Sequence, residues 1–214
     1  MTAPTGIMLR LREETAPHHE HAESRPLEQS LVRGVLPREL YCDMLEQRYL
    51  IHRELEAQAR KLRESQPMLA KVLEDTLFQE SNLHADLVAL GRDPNRAQAK
   101  GATQRLIHEI HSLGRTGSMA LLGVYYVFEG SKNGARFIAK RVGPAYGLSP
   151  GPGMLYLDPH GEAQRPIWME FKQRMDACHF SQADQDAMVE AAKLTFDCIA
   201  DLDDEMMRGQ AVHS

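Results

Sequence analysis

The chain has 214 residues, which is room for one domain with a sizeable core. A formal net charge of −5 argues against a bulk attraction for nucleic acid, and a composition of 43% hydrophobic and 26% charged residues excludes a disordered or fibrous chain. Three scattered cysteines, Cys42, Cys178 and Cys198, make neither a disulfide framework nor a CxxC metal motif. No apolar run approaches the roughly 18 residues that span a membrane. Met1 to Arg10 has neither the apolar core nor the cleavage site of a secretory signal, so the expected setting is the cytoplasm, with no membrane or nucleic-acid partner.

The apolar residues recur at helical spacing along most of the chain, and aromatic residues are only 6%. Near the N-terminus, Thr15 reads as a helix cap with Pro17 in the first turn. Residues 37–64 form a helical stretch through Leu40, Met44, Leu45, Leu55 and Leu62, opened by Pro37. After Pro67 one further apolar segment runs through Leu69, Val72, Leu77, Leu83 and Leu87 to a stop at Gly91. A helix from Ala102 to Gly114 follows. A strongly apolar stretch then starts at Ser118, is interrupted by Gly130 and Gly134, and resumes at Phe137. Residues 143–161, rich in Gly and Pro, read as a loop: an ordered connection or a lid. Helices over 162–178 and from Ser181 to about Met207 close the chain, the last with Asp184 completing a capping box. The expected architecture is all-α: one compact single-domain bundle of about seven or eight helices spanning 1–214, with residues 1–6 disordered.

Two local patterns stand out chemically. Glycine inside a helix costs about 1 kcal/mol relative to alanine, yet Gly130 and Gly134 stand four residues apart and so share one helical face. Such a face lets a flat ligand lie against backbone, or lets another helix pack closely. The second pattern is the run Pro17-His-His-Glu-His21. Taken alone it reads as a solvated surface, and His18 and His19, about 100° apart around a helix, cannot both face one pocket.

The segment from Tyr126 to Ala135, Tyr-Val-Phe-Glu-Gly-Ser-Lys-Asn-Gly-Ala, resembles the distal helix of bacterial heme oxygenases, with its Gly-Ser-x-x-Gly core. Residues 104–116 and the C-terminal stretches Phe171–Met175 and Ala192–Phe196 resemble other elements of that family, and Thr15-Ala-Pro-His-His19 is similar to the segment carrying its axial histidine. The resemblance implies a helical bundle of the heme oxygenase type that holds heme b as both substrate and cofactor. It implies conversion of heme to biliverdin, carbon monoxide and ferrous iron, with molecular oxygen and an external electron donor, a ferredoxin or flavoprotein reductase. It makes His19 the ligand of the iron and Glu23 the acceptor that orients the ring. It places Arg12 and Lys172 at the heme propionates and Tyr125 and Phe196 against the heme. Gly130, Ser131, Asn133 and Gly134 form the distal, catalytic stretch, in which Ser131 stands where many animal and plant relatives carry an aspartate.

Two other readings are open: a non-enzymatic heme-binding or transfer protein, and a non-heme enzyme on the same bundle, either thiaminase-like or a di-iron oxidase. A di-iron site wants paired Glu-x-x-His motifs from facing helices. Glu80 with His84, and Glu109 near His108 and His111, do not form two matching motifs.

Overall fold

The computed structural model describes residues 6–211, with the side chains of Gln210 and Ala211 excepted. The expectation for residues 1–5 therefore falls outside the described residues; Gly6 caps the first helix. Nine α-helices and no strand occur among the described residues. In chain order they are α1 (Ile7–Glu23), α2 (Pro26–Arg33), α3 (Arg38–Ser65), α4 (Pro67–Val72), α5 (Glu80–Ala89), α6 (Gly101–Thr116), α7 (Leu121–Tyr146), α8 (Gln164–Ala177) and α9 (Gln182–Ala211). Three single 3₁₀ turns, at Asp75–Leu77, Pro94–Arg96 and Gly161–Ala163, join them.

α9 is the hub, packed against α1, α2, α6 and α7, while α3 carries α5 and α6 on its flank. The approach of α7 to α9 depends on one small residue. A Cβ on Gly123 would stand 2.0 Å from the backbone oxygen of Met188. The predicted capping box is present: Asp184 N donates to Ser181 Oγ at 3.1 Å, and Ser181 N to Asp184 Oδ2 at 3.3 Å.

The first helix departs from the sequence expectation. Its start is Ile7, so Thr15 lies mid-helix, with its hydroxyl donating to the Leu11 carbonyl at 2.6 Å rather than capping. Ile7, Met8, Leu11, Thr15 and Ala22 are buried, and that stripe holds α1 against α9 and α8. Pro17 is tolerated inside the helix because it and Glu13, whose carbonyl it leaves without a donor, both face solvent.

The single segment expected over 68–90 is broken into α4, a 3₁₀ turn and α5. Other helices take up the backbone groups released by the break. Glu56 of α3 accepts the N–H groups of Gln79 (2.5 Å) and Glu80 (2.8 Å), a carboxylate cap for α5. The Lys132 ammonium of α7 donates to the Leu77 carbonyl at 3.1 Å. That division, and α2, which periodicity did not pick out, take the count above eight.

The glycines do not interrupt α7, which runs unbroken to Tyr146, so the loop begins at Gly147 instead of Gly143. Gly147 takes the left-handed φ of 66° that ends the helix, and Leu148 N closes the turn on the Gly143 carbonyl at 2.8 Å. Residues 147–160 are an ordered connection. Asp86 of α5 accepts three backbone N–H groups from it, Gly153 (2.7 Å), Leu155 (2.9 Å) and Tyr156 (2.8 Å). The Tyr41 hydroxyl donates to the Gly153 carbonyl at 2.9 Å.

Candidate functional site

A cavity of about 660 Å³ opens between α1 and α7, walled on its other sides by α2, α3, α9, the 147–160 connection and Trp168 of α8. That volume lies within the range of about 300–1,000 Å³ usual for small-molecule sites.

α7 supplies one wall with Gly130, Ser131, Asn133 and Gly134. A Cβ on Gly134 would meet nothing within 4 Å, and one on Gly130 would meet only Trp168, at 3.7 Å. The glycine face is thus open to the cavity and not used for close helix packing. Ser131 Oγ donates to the Phe128 carbonyl (2.9 Å) and Asn133 Nδ2 to the Gly130 carbonyl (3.0 Å). Both side chains therefore turn a donor back onto their own helix and keep acceptor capacity for the cavity.

α1 supplies the opposing groups. His19 lines the cavity with its ring tilted 54° against Phe196 at a centroid distance of 5.2 Å. Its Nε2 lies 3.2 Å from Oε1 of Glu23, one turn on. The neighbouring histidines go elsewhere: His18 Nδ1 meets Asp197 of α9 at 2.6 Å, and His21 is exposed and off the cavity wall. Rotation by one residue around α1 thus separates a histidine that ties α1 to α9 from one that faces the cavity.

Of the ten residues named from sequence, Gly130, Ser131, Asn133, Gly134, Arg12, His19, Glu23 and Phe196 are brought together on this wall, and Tyr125 and Lys172 are not. Tyr125 is only 1% exposed and lies in the core beside Phe78, and burial raises its phenol well above the usual tyrosine range. Its neighbour Tyr126 reaches the cavity instead, its ring tilted 42° against Trp168 at a centroid distance of 6.0 Å. Burial raises the Tyr126 phenol too, and Thr15 and Arg12 beside it offset part of that effect. Lys172 holds its ammonium 5.6 Å from the centre of the Trp168 ring, one residue behind the cavity surface.

Sequence reasoning missed Glu28 on α2, Arg48 on α3 and Tyr156 in the connection, all of which line the cavity. Arg48 carried a readable signal. It falls at helical spacing between Met44 and His52, on a face otherwise filled by buried residues. Behind this wall lies a buried polar layer. His52 is 1% exposed, 4.8 Å from the Phe128 ring, and burial lowers its pKa, so it is neutral. Glu129 and Lys132 form a buried ion pair on the side of α7 turned away from the glycine face.

The sequence profile of the family described as heme oxygenase matches residues 5–203. The chain belongs to the heme oxygenase family. A heme oxygenase from Rhodella violacea is 23% identical over 200 residues, 92% of this chain and 85% of that protein. Among solved structures, heme oxygenase from Leptospira interrogans superposes with a TM-score of 0.86 at 22% identity, over 94% of this chain and 100% of that one. Heme oxygenase-1 from Synechocystis, in complex with heme, does so with 0.86 at 18% identity, over 98% and 97%. The fold is thus that of the heme oxygenases.

Proposed function

We propose that this chain binds heme in the α1–α7 cavity and degrades it to biliverdin, carbon monoxide and ferrous iron, with oxygen and electrons from an external ferredoxin or flavoprotein reductase. The observation that carries the reading is the meeting of His19 and the open glycine face in one apolar cavity.

In this reading His19 is the iron ligand. Glu23 accepts from one ring nitrogen, which leaves the other unprotonated and fixes the ring's rotation. Bound heme supplies the redox-active iron and is itself the substrate. Gly130 and Gly134 would let the backbone of α7 approach the ring system, and Phe196, Tyr126 and Trp168 would help to exclude water from the cavity around it. Arg12, Arg48 and Arg141 on the cavity wall are cations available to the heme carboxylates, and Lys172, behind the wall beside Trp168, would have to swing past that ring to join them. Ser131 and Asn133, with acceptors free, order water on the glycine side.

The di-iron alternative is not favoured. Glu80 is engaged by Arg60 (3.3 Å), and His111 Nδ1 lies 3.0 Å from Glu54, so the two candidates have separate partners on different helices. Among the described residues no three His, Cys, Asp or Glu side chains converge to hold a metal ion.

The test has two stages. Hemin added to the purified apo-protein should give a one-to-one complex with a sharp Soret band that His19→Ala weakens. With a reductant and oxygen, that band should decay as carbon monoxide and bilin absorbance appear. A stable oxygen complex whose ring never opens would leave a heme carrier, and absence of any Soret complex would remove heme from the account.

A further inference from the structure

At the inner wall of the cavity stand charged groups that the proposed chemistry has not used. Glu28 and Arg48 line it. Asp203, on the same face of α9 as the cavity residues Phe196 and Ile199, is at 0% exposure, and Arg48 and Glu28 are the charged groups that act on it most. Both Asp203 carboxyl oxygens lack a hydrogen-bond partner, and so does Nη1 of Arg48, which is itself 7% exposed. We propose that Asp203, Glu28 and Arg48 form a proton-storing cluster, in which Asp203 is a neutral carboxylic acid that exchanges its proton with water in the cavity.

The argument begins with charge. With both acids ionised, two carboxylates beside one guanidinium would leave an uncompensated negative charge, and Asp203 would carry its share at 0% exposure; Glu23 and His19, which face Glu28 from α1, act on it in opposite senses. Asp204 and Arg25 also act on Asp203, in opposite senses, and pair with each other at 3.5 Å, so neither supplies the missing positive charge. A buried carboxylate without donors is costly, and the cheaper state keeps one proton in the cluster. Burial raises both acids against the pull of Arg48, Asp203 to about 7. The Tyr156 phenol, also facing this cluster, is raised by burial and by Glu28 and stays neutral.

The cluster is connected to the site because Glu28 and Arg48 line the cavity and both act on Asp203. When Asp203 releases its proton to that water, the remaining carboxylate is drawn to Arg48, and solvent returns the proton between turnovers. Asp203 is thus a positioning residue for protons and does not touch the ring. Its part in turnover rests on the heme-degrading reading, whereas its charge state does not.

The experiment uses the apo-protein first. The side-chain carboxyl carbon of Asp203, assigned by its loss in Asp203→Asn, is followed by NMR from acid to mildly alkaline pH. A midpoint near 7 is expected; a midpoint in the ordinary range of about 4 overturns the proposal. Stability gives an independent reading. The folded-state pKa lies above the unfolded value, so the wild type loses stability as pH rises from about 4 to about 7, and Asp203→Asn should flatten that decline. A variant less stable than wild type at neutral pH would mean that the ionised form is needed, and would sink the idea.

The hemin complex is then carried through a single turnover across pH. Asp203→Asn should keep the Soret band, slow ring opening at least tenfold at pH 7, and lose the alkaline fall near pH 7. An unchanged rate and profile overturns proton delivery even where the NMR midpoint is high. Loss of the Soret band in the variant would make Asp203 a pocket-shaping residue and overturn it too. A wild type that binds no hemin would strike the functional reading and leave the titration standing.

Discussion

Oε1 of Glu23 stands 3.2 Å from Nε2 of His19, one helical turn away on the same face of α1. Such an acceptor sets which ring nitrogen carries the proton and holds the ring's rotation. His19→Ala should cost most of the hemin affinity, with exogenous imidazole restoring a Soret band. Glu23→Gln should retain the band but lower affinity or turnover about 10–100-fold. Hemin titration and single-turnover spectra read both. A Glu23→Gln protein indistinguishable from wild type would show that the carboxylate is only a surface partner of an exposed histidine.

Gly134 separates ligand binding from folding. Nothing lies within 4 Å of the Cβ it lacks, so Gly134→Ala should stabilise the apo-protein by about 1 kcal/mol through helix propensity alone. The same methyl group enters the space claimed for the heme, and the larger Gly134→Leu should abolish hemin binding while the chain still folds. Denaturant unfolding and hemin titration on the same samples test the pair. A Gly134→Leu protein with undiminished hemin affinity would place the ring elsewhere.

Gly123 behaves in the opposite way. A Cβ there would lie 2.0 Å from the Met188 carbonyl, on backbone that cannot rotate aside. Gly123→Ala should therefore force α7 and α9 apart and destabilise the fold by on the order of 3 kcal/mol, the range for overpacked cores. A thermal melt of the apo-protein measures it, and an unchanged melting temperature would show that the two helices separate at little cost.

How legible each part was depends on whether its determinants are local. Gly130, Gly134 and His19 could be found because a glycine pair four residues apart and a histidine run leave their mark in a short window. Tyr125 was chosen where Tyr126 faces the cavity, because one residue is about 100° of rotation and nothing in Tyr125-Tyr126 tells which ring goes inward. The break between α4 and α5 was invisible for another reason: it is held by Glu56 and Lys132, 20 residues or more away in sequence. Asp203 went unread because an acid near the end of an acidic helix resembles solvated surface until α2 and α3 are packed over it.

Asp86 tests whether the 147–160 connection is a wall of the site. Its carboxylate accepts N–H groups from Gly153, Leu155 and Tyr156, and the last of these residues, with Leu157, lines the cavity. Asp86→Ala would strand three backbone donors, two of them buried, at a cost of at least about 3 kcal/mol by the usual penalty for unsatisfied groups. The segment can recover part of this by detaching and hydrating its N–H groups, which would free Tyr156 and open the cavity's inner side. The expected result is a lower melting temperature together with fast amide exchange confined to 151–157 and weaker hemin binding. Amide exchange that stays slow there in Asp86→Ala would mean that Tyr41, through its bond to the Gly153 carbonyl, is enough to hold the connection in place.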